Sequence, residues 1–174
     1  MLQSLHGVTP QIVRGTFVAE TAAVIGDVVI GDESSVWYSA VIRGDVNRIR
    51  IGDRVSIQDC SCLHCSDGDA YIEIGNDVTV GHNVCLHGCK VADGVLIGMG
   101  ATVLDNVHIA SGSVVAAGAL VLAGTQIGPG ELWGGVPARL IKHLTQADID
   151  RIITPLPQHY QYWAAEYCKE QPDV

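Results

Sequence analysis

Basic and aromatic side chains are scarce in this sequence. Its 10 lysines and arginines are outnumbered by 19 aspartates and glutamates, which gives a formal net charge of −9. A chain this acidic is not expected to bind nucleic acids or an anionic membrane surface. Aromatic residues make up only 5% of the chain, although 48% of its residues are hydrophobic. We therefore expect one domain-sized chain of 174 residues whose core consists mainly of Val, Ile, Leu and Ala.

Long apolar runs are missing as well. No stretch of about 18 apolar residues occurs, so the sequence predicts no transmembrane helix. Residues 1–10 lack the basic start and apolar run of a secretion signal. We therefore predict a cytoplasmic protein whose six cysteines are reduced thiols. The less favoured alternative is a zinc site built from Cys62, Cys65, Cys85 and Cys89.

A six-residue repeat organises most of the chain. The aliphatic or aromatic positions of this repeat are Val18, Val24, Ile30, Val36, Ile42, Ile51, Ile57, Leu63, Ile74, Val80, Leu86, Val91, Ile97, Val103, Ile109, Val115, Val121, Ile127 and Trp133. A period of six fits neither an α-helix nor an alternating strand. It fits a solenoid whose coils have three short flat faces, with parallel strands stacked about 4.8 Å apart. The repeat predicts an all-β solenoid, a parallel β-helix of roughly six coils.

The repeat ends near His143, and helical signals follow. We predict a β-helix with an N-terminal lead-in over residues 1–143 and helices packed on it over residues 144–174. Thr145 and Asp148 have the spacing of a capping box at a helix N-terminus. Pro155 and Pro157 are expected to interrupt the helix. The apolar stripe of a second helix is then predicted at Tyr160, Trp163, Ala164 and Tyr167.

Three histidines occupy related positions in the repeat. His64 follows Leu63 and His87 follows Leu86, and these hexads lie one full coil apart. The two imidazoles should therefore stack on one face, close enough to bind one metal ion. His82 lies one face earlier, around a corner of the coil. A homotrimer would bring His82 of a neighbouring subunit to His64 and His87, because its interfaces are heterologous and close into a ring.

The same register places polar residues beside these histidines. Arg43 is expected one coil before His64, and Asp59 one coil before His82, with Gln58 beside it. An ion pair between Arg43 and Asp59 across the subunit junction is predicted. Three imidazole ligands favour zinc, with iron, cobalt and nickel as alternatives.

Several segments resemble the γ-class carbonic anhydrase family, in particular its short bacterial members, within the hexapeptide-repeat superfamily. The segments that carry this resemblance are Val36–Trp37, Val41–Asp45, Ile57–Asp59, Leu63–His64, Val80–His82, Leu86–Cys89 and Ile97–Ala101. The resemblance runs from about residue 5 to residue 170. It implies that the β-helix is left-handed and that zinc is bound by His64, His82 and His87 across trimer interfaces. It also implies reversible hydration of CO2 to bicarbonate by a metal-bound hydroxide.

The resemblance further implies roles for the polar neighbours. Gln58 would orient the metal-bound water or hydroxide, Arg43 and Asp59 would form the subunit salt bridge, and Asp45 would belong to the same polar network. We add Tyr160, on the predicted second helix, as a further candidate catalytic residue.

Proton transfer is where the sequence departs from the family pattern. Archetypal members carry a longer acidic loop that shuttles protons. Residues 46–50 here contain no carboxylate, which leaves Asp67 and Asp69 as the nearby candidates. The sequence therefore supports metal binding more strongly than rapid CO2 hydration.

Two other functions stay open at this point. Residues 133–139 resemble a stretch common in acyltransferases of the hexapeptide-repeat fold, which use a single catalytic histidine. A metal-dependent thioesterase is related to this alternative. The second alternative is a metal-binding structural trimer without catalytic activity.

Overall fold

The six-residue repeat forms short parallel strands that coil into a left-handed β-solenoid of about seven turns. The computed structural model describes residues 1–170. The repeating aliphatic positions point into the coil, and Leu63, Leu86 and Ile97 are completely buried. Because each of these side chains stacks on its counterpart one coil away, the core is a continuous column of aliphatic side chains.

Residues 1–170 contain twenty strands and two helices. The strands are β1 (Leu2–Gln3), β2 (Gln11–Ile12), β3 (Phe17–Val18), β4 (Ala23–Ile30), β5 (Ser35–Val36), β6 (Val41–Ile51), β7 (Ser56–Ile57), β8 (Cys62–His64), β9 (Ile72–Ile74), β10 (Thr79–Val80), β11 (Cys85–His87), β12 (Lys90–Val91), β13 (Leu96–Ile97), β14 (Thr102–Val103), β15 (His108–Ile109), β16 (Val114–Val115), β17 (Leu120–Val121), β18 (Gln126–Ile127), β19 (Glu131–Gly135) and β20 (Ala138–His143). The helices are α1 (Gln146–Ile152) and α2 (Pro155–Glu170).

These strands form the three faces of the solenoid. The first face stacks β1, β4, β6, β8, β11, β14 and β17, and the second stacks β2, β4, β6, β9, β12, β15 and β18. Strands β4 and β6 are long enough to belong to both faces. The third face stacks β3, β5, β7, β10, β13, β16 and β19, and β20 closes it by pairing antiparallel with β19.

The solenoid has one turn more than the repeat predicts. Strand β1 lies before the first hexad, yet it pairs in parallel with β4 through Leu2 and Val24. The N-terminal lead-in thus adds β1 and β2 to the roughly six coils expected. Ile12 continues the six-residue spacing back from Val18, whereas β1 lies outside it.

A column of left-handed residues forms the corner between the third and first faces. Its members are Ser39, Cys60, Asn83, Gly100 and Gly118, all with φ between +56° and +68°. Glycine is required at other positions, outside this corner column, where neighbouring coils approach each other closely. A Cβ on Gly98 would lie 2.5 Å from the backbone nitrogen of Ala117, and one on Gly81 would lie 2.8 Å from that of Met99.

The C-terminal helices begin as the sequence predicts but are interrupted differently. The capping box of Thr145 and Asp148 is present at the start of α1. Helix α1 ends before Pro155, which begins α2. The expectation that Pro157 also interrupts the helix is wrong: it lies in the first turn of α2, where backbone N–H groups have no intrahelical partner to lose.

Helix α2 packs its aromatic stripe against the start of the solenoid. The ring centroid of Trp37 lies 5.9 Å from that of Tyr160 and 5.4 Å from that of Tyr167. Ala164, which lies between Tyr160 and Tyr167 in the sequence, is also buried. Trp163 is 44% exposed and does not belong to the packed face. The last four residues of the predicted segment 144–174 lie outside the described residues. None of the helices formed by residues 1–170 is both long and apolar enough to cross a membrane.

The close approach at Gly98 gives a test of the coil stacking. We expect Gly98→Ala to lower the free energy of unfolding by about 1–3 kcal/mol, because its Cβ collides with backbone of the next coil. Gly118→Asn is the control, since Gly118 has open space and shares its corner with Asn83. This variant should stay within about 0.5 kcal/mol of wild type. Chemical denaturation at one protein concentration measures both, and equal stabilities would contradict the prediction.

Candidate metal centre

His64 and His87 lie side by side on the first face. They end strands β8 and β11 and are in-register partners, with Arg43 in register on the strand before. The expected stacking on adjacent coils is therefore present. Nδ1 of His64 lies 3.1 Å from Nε2 of His87. Two imidazole nitrogens thus converge on one point at the protein surface.

Each of these histidines has a carboxylate at its other nitrogen. Asp45 Oδ1 lies 2.9 Å from His64 Nε2, and Asp105 Oδ1 lies 2.7 Å from His87 Nδ1. A neutral imidazole carries one N–H, and the carboxylate is the group to which it donates. With both N–H groups used in this way, the two facing nitrogens present lone pairs to each other.

This arrangement fits a bound zinc ion. Two lone pairs 3.1 Å apart repel unless a cation or a shared proton lies between them. Two nitrogens at 2.0–2.1 Å from a tetrahedral zinc would be separated by about 3.3 Å. Carboxylates that hold the distal N–H of a ligating histidine are a common feature of zinc sites, because they fix the tautomer and the ring orientation.

His82 lies around the corner, on the turn after strand β10. Its Nδ1 lies 2.8 Å from Asp59 Oδ2, and its side chain is 47% exposed. The expected placement of Asp59 one coil before His82 is thus present. With Nδ1–H donating to Asp59, Nε2 keeps its lone pair. Within residues 1–170 of one chain, no three His, Cys, Asp or Glu side chains are grouped to hold a metal.

The cysteine alternative has no support in the described part of the chain. All six cysteines are free, and Cys65 and Cys89 are buried in the core. Burial raises the pKa of Cys65 to about 11 and that of Cys89 to about 12. Because thiolates are the form that binds zinc, these two residues are poor ligands.

Arg43 and Asp45 form an ion pair at the edge of the centre. Burial alone would raise the pKa of Asp45, but hydrogen bonds from Arg43 and His64 outweigh it and lower this pKa below its usual value. Asp45 therefore stays ionised as the partner of His64. The pairing of Arg43 with Asp59 across a subunit junction stays a prediction, since within one chain Asp59 contacts His82.

Gln58 and Tyr160 lie together in a groove on the third face, beside the helices. Gln58 precedes Asp59, and its side chain is almost completely buried. Burial and the nearby charge of Asp59 raise the pKa of Tyr160, so its hydroxyl stays protonated at neutral pH. These two candidates therefore adjoin the His82 half of the site, whereas Arg43 and Asp45 adjoin the half formed by His64 and His87.

Two segments that interrupt the six-residue repeat, residues 46–50 and residues 65–73, pack on each other beside His64. Asn47 Nδ2 donates to the carbonyl oxygens of Ser66 and Gly68, at 3.1 and 2.8 Å. Asp67 and Asp69 are exposed in the segment of residues 65–73. The carboxylates that contact the three histidines are those of Asp45, Asp59 and Asp105. A role of Asp67 or Asp69 in proton transfer stays a prediction.

Asp105 is the residue that the sequence reasoning missed. It lies two positions after Val103, whose in-register partner is Leu86, the neighbour of His87. A search of the coil after each histidine, as well as the coil before it, would have found this carboxylate. Ser66 Oγ also donates to Asp105 at 3.0 Å, which ties the segment of residues 65–73 to the centre.

Comparisons with known proteins give a consistent result. The family model for the bacterial transferase hexapeptide (six repeats) matches residues 88–123. The chain is 45% identical over 168 residues to a carbonic anhydrase of Geobacillus kaustophilus, covering 95% of this chain and 92% of that protein. It is 46% identical over 153 residues to the mitochondrial gamma carbonic anhydrase 1 of Arabidopsis thaliana, covering 85% of this chain. The chain spans 56% of the length of that plant relative.

Solved structures agree on the fold. A hexapeptide transferase family protein from Anaplasma phagocytophilum superimposes with a TM-score of 0.89 at 37% identity, over 95% of this chain and 97% of that one.

The carboxylate contacts give a prediction for metal affinity. We expect Asp105→Asn to weaken zinc binding about 10- to 100-fold, because an amide cannot hold the N–H of His87 as strongly. Competition with a chromophoric chelator measures the affinity. Asp69→Asn is the matched control in the neighbouring loop and should bind zinc like wild type. Equal affinities of the Asp105 variant and the wild type would show that this contact does not tune the site.

Proposed function

The chain belongs to the γ-class carbonic anhydrase family, and we propose that it catalyses the reversible hydration of CO2 at zinc sites between the subunits of a homotrimer. The observation that carries the proposal is the pair of imidazole nitrogens of His64 and His87, 3.1 Å apart, each ring held by a carboxylate at its other nitrogen. A zinc ion bound there by two histidines, and by His82 of a neighbour, would supply a hydroxide nucleophile at neutral pH.

The residues of the chain provide the orientation that such a reaction needs. Asp45, Asp59 and Asp105 each hold one histidine in a single tautomer. Gln58 presents a side-chain amide beside Asp59, where it can hydrogen-bond an oxygen of the substrate or the nucleophile. CO2 is neutral and bicarbonate is an anion, so the surrounding carboxylates favour release of the product over its retention.

A shared site follows from the positions of the histidines on one chain. His64 and His87 lie on the first face, and His82 lies at the corner reached from the third face. A closed ring of three subunits sets the first face of one chain against the third face of the next. Each trimer would then contain three equivalent centres.

The arrangement supports this reaction better than acyl transfer. An acyltransferase needs one histidine that acts as a base. Here three histidines are each backed by a carboxylate, which is the arrangement of metal ligands. A structural metal site would also need such ligands, so activity is measured together with metal content.

The direct test is stopped-flow CO2 hydration by protein whose metal content has been determined. We expect about one zinc per chain and catalysis that is lost, together with the metal, in His87→Ala. His108→Ala, on the second face, is the matched control and should keep both. A wild-type protein without metal, or a metal-loaded one without activity, would contradict the proposal.

Mixing two inactive variants tests whether the site is shared. His82→Ala keeps the first-face pair, and His87→Ala keeps His82, so a mixed trimer contains an interface with all three ligands. Random assembly after co-refolding should restore roughly a quarter of the wild-type sites and activity. No recovery from a mixture that does form trimers would show that the three ligands do not come from two chains.

Proton transfer should limit the proposed reaction. The carboxylates at the histidines are all engaged in hydrogen bonds to them. We therefore expect kcat to rise with the concentration of an imidazole buffer, while kcat/KM stays constant. Measurement of both constants at fixed pH and ionic strength tests this. A kcat independent of buffer would indicate an efficient shuttle within the protein.

A further inference from the structure

A chain of hydrogen bonds begins outside the candidate metal centre and ends at the imidazole of His87. Asn47 Nδ2 donates to the carbonyl oxygens of Ser66 and Gly68, at 3.1 and 2.8 Å. Ser66 Oγ donates to Asp105 Oδ2 at 3.0 Å, and the other oxygen of this carboxylate lies 2.7 Å from His87 Nδ1. Asn47 is therefore joined to a proposed zinc ligand through two intermediate residues.

Every polar atom of the Asn47 side chain takes part in a hydrogen bond. Besides the two bonds that its amide nitrogen donates, its Oδ1 accepts from the backbone N–H of Arg48 at 2.9 Å. Asn47 lies where β6 passes from the first face to the second. A fully satisfied polar network is rigid, so this side chain fixes the backbone that it contacts in residues 65–73.

The segment of residues 65–73 packs closely over the residue that follows His87. A Cβ on Gly88 would lie 2.8 Å from the Cβ of Ala70 and 2.2 Å from Oδ1 of Asp105. Ala70 is only 5% exposed at this contact. Glycine therefore leaves room here both for the segment and for the carboxylate that reaches His87.

One short segment thus serves both histidines of the first face. It begins directly after His64, and the hydroxyl of its Ser66 contacts the carboxylate that holds His87. The backbone also joins the two coils here, because the N–H of Gly88 donates to the carbonyl oxygen of His64 at 3.0 Å. The relative position of the two imidazoles therefore depends on how this segment is held.

The carboxylates at these two rings are held by different donors. Asp45 has its second oxygen on the guanidinium of Arg43, whereas Asp105 has its second oxygen on the hydroxyl of Ser66. A guanidinium attracts a carboxylate over a range of positions, but a neutral hydroxyl holds it only within hydrogen-bond distance. The orientation of Asp105 consequently depends on where Ser66 is placed, and Asn47 determines that placement.

We propose that Asn47 and Ser66 are positioning residues of the metal centre. Asn47 fixes the segment that carries Ser66, and Ser66 fixes the carboxylate of Asp105. That carboxylate then keeps His87 in the tautomer whose Nε2 lone pair faces His64. The inference rests on the proposed zinc site and adds two residues that set its affinity for the metal without touching it.

Zinc affinities measured by chelator competition test the proposal. Loss of the carboxylate partner of a zinc ligand costs about 10- to 100-fold in affinity, and Asn47 and Ser66 act further from the ion. We therefore expect Asn47→Ala and Ser66→Ala each to weaken zinc binding about 3- to 10-fold. Ser66→Thr keeps the hydroxyl and should bind zinc like wild type. Wild-type affinity of either alanine variant, or an equal loss in Ser66→Thr, would overturn the proposal.

Asn76→Ala is the matched control. Asn76 Oδ1 also accepts from the backbone of a neighbouring coil, at 2.9 Å from the nitrogen of Asp53, but at the corner between the second and third faces. This variant should keep the wild-type affinity for zinc, and a loss equal to that of Asn47→Ala would overturn the proposal. Ser66→Ala removes one hydroxyl and leaves the backbone contacts in place, so a misfolded Asn47 variant does not decide the outcome.

A double-mutant cycle shows whether Asn47 acts through Asp105. In the Asp105→Ala background the carboxylate is absent, so the further change Asn47→Ala should reduce zinc affinity by less than about twofold. The same loss in both backgrounds would show that Asn47 acts by another route and would overturn the proposal.

The tautomer of His87 gives a readout that needs neither metal nor activity. Long-range proton–nitrogen correlation spectra of the metal-free, full-length protein show which ring nitrogen carries the proton. With the rings neutral, we expect Nδ1 to carry it in wild type and in Asn76→Ala, because Asp105 accepts from it. Asn47→Ala and Ser66→Ala should show a mixture of both tautomers. An unchanged tautomer in both of these variants would overturn the proposed mode.

These outcomes are separate from those of the CO2 hydration test. Weaker zinc binding in the alanine variants, with no hydration by zinc-loaded wild type, would contradict the carbonic anhydrase proposal and leave this one standing. Hydration by wild type, with unchanged zinc affinity in the variants, would do the reverse.

Discussion

The in-register stacking of coils is the constraint on which the structure depends. A strand of two or three residues cannot bury a core alone, so each hexad is stable only because its aliphatic side chain contacts the equivalent one in the next coil. The same register carries every outward-facing residue. His64 and His87 converge because Leu63 and Leu86, the residues that precede them, stack on each other in the core. A displacement of one residue in either strand would turn the imidazole towards the interior.

Hydrogen bonds from imidazole N–H groups to carboxylates hold the candidate centre together. The chain is acidic overall, and three of its carboxylates lie beside the three histidines. These contacts use the distal nitrogens of the rings and leave the others for a cation. At the proposed centre, the acidic character that disfavours nucleic acids would therefore favour a bound cation.

Most of the fold and half of the site could be predicted from the sequence, because a hexad register converts sequence separation directly into position. It placed Arg43 beside His64 and Asp59 beside His82. It could not place Asp105, which reaches His87 diagonally from the following turn, nor β1, which pairs without repeating the pattern. The groove at Gln58 was also out of reach, since it depends on how α2 packs. Ligands contributed by another chain leave no trace in the packing of one.

The corner column with positive φ has a consequence for how such a chain can change in length. Equivalent positions are occupied by Ser39, Cys60, Asn83 and Gly100, so the corner accepts several residue types. The same corner conformation therefore recurs in each of these coils. The proposed centre uses only the coils from β6 to β14. Coils before or after that block can be gained or lost as whole units without moving a histidine. The solenoid therefore separates the number of its coils from the relative positions of the three histidines.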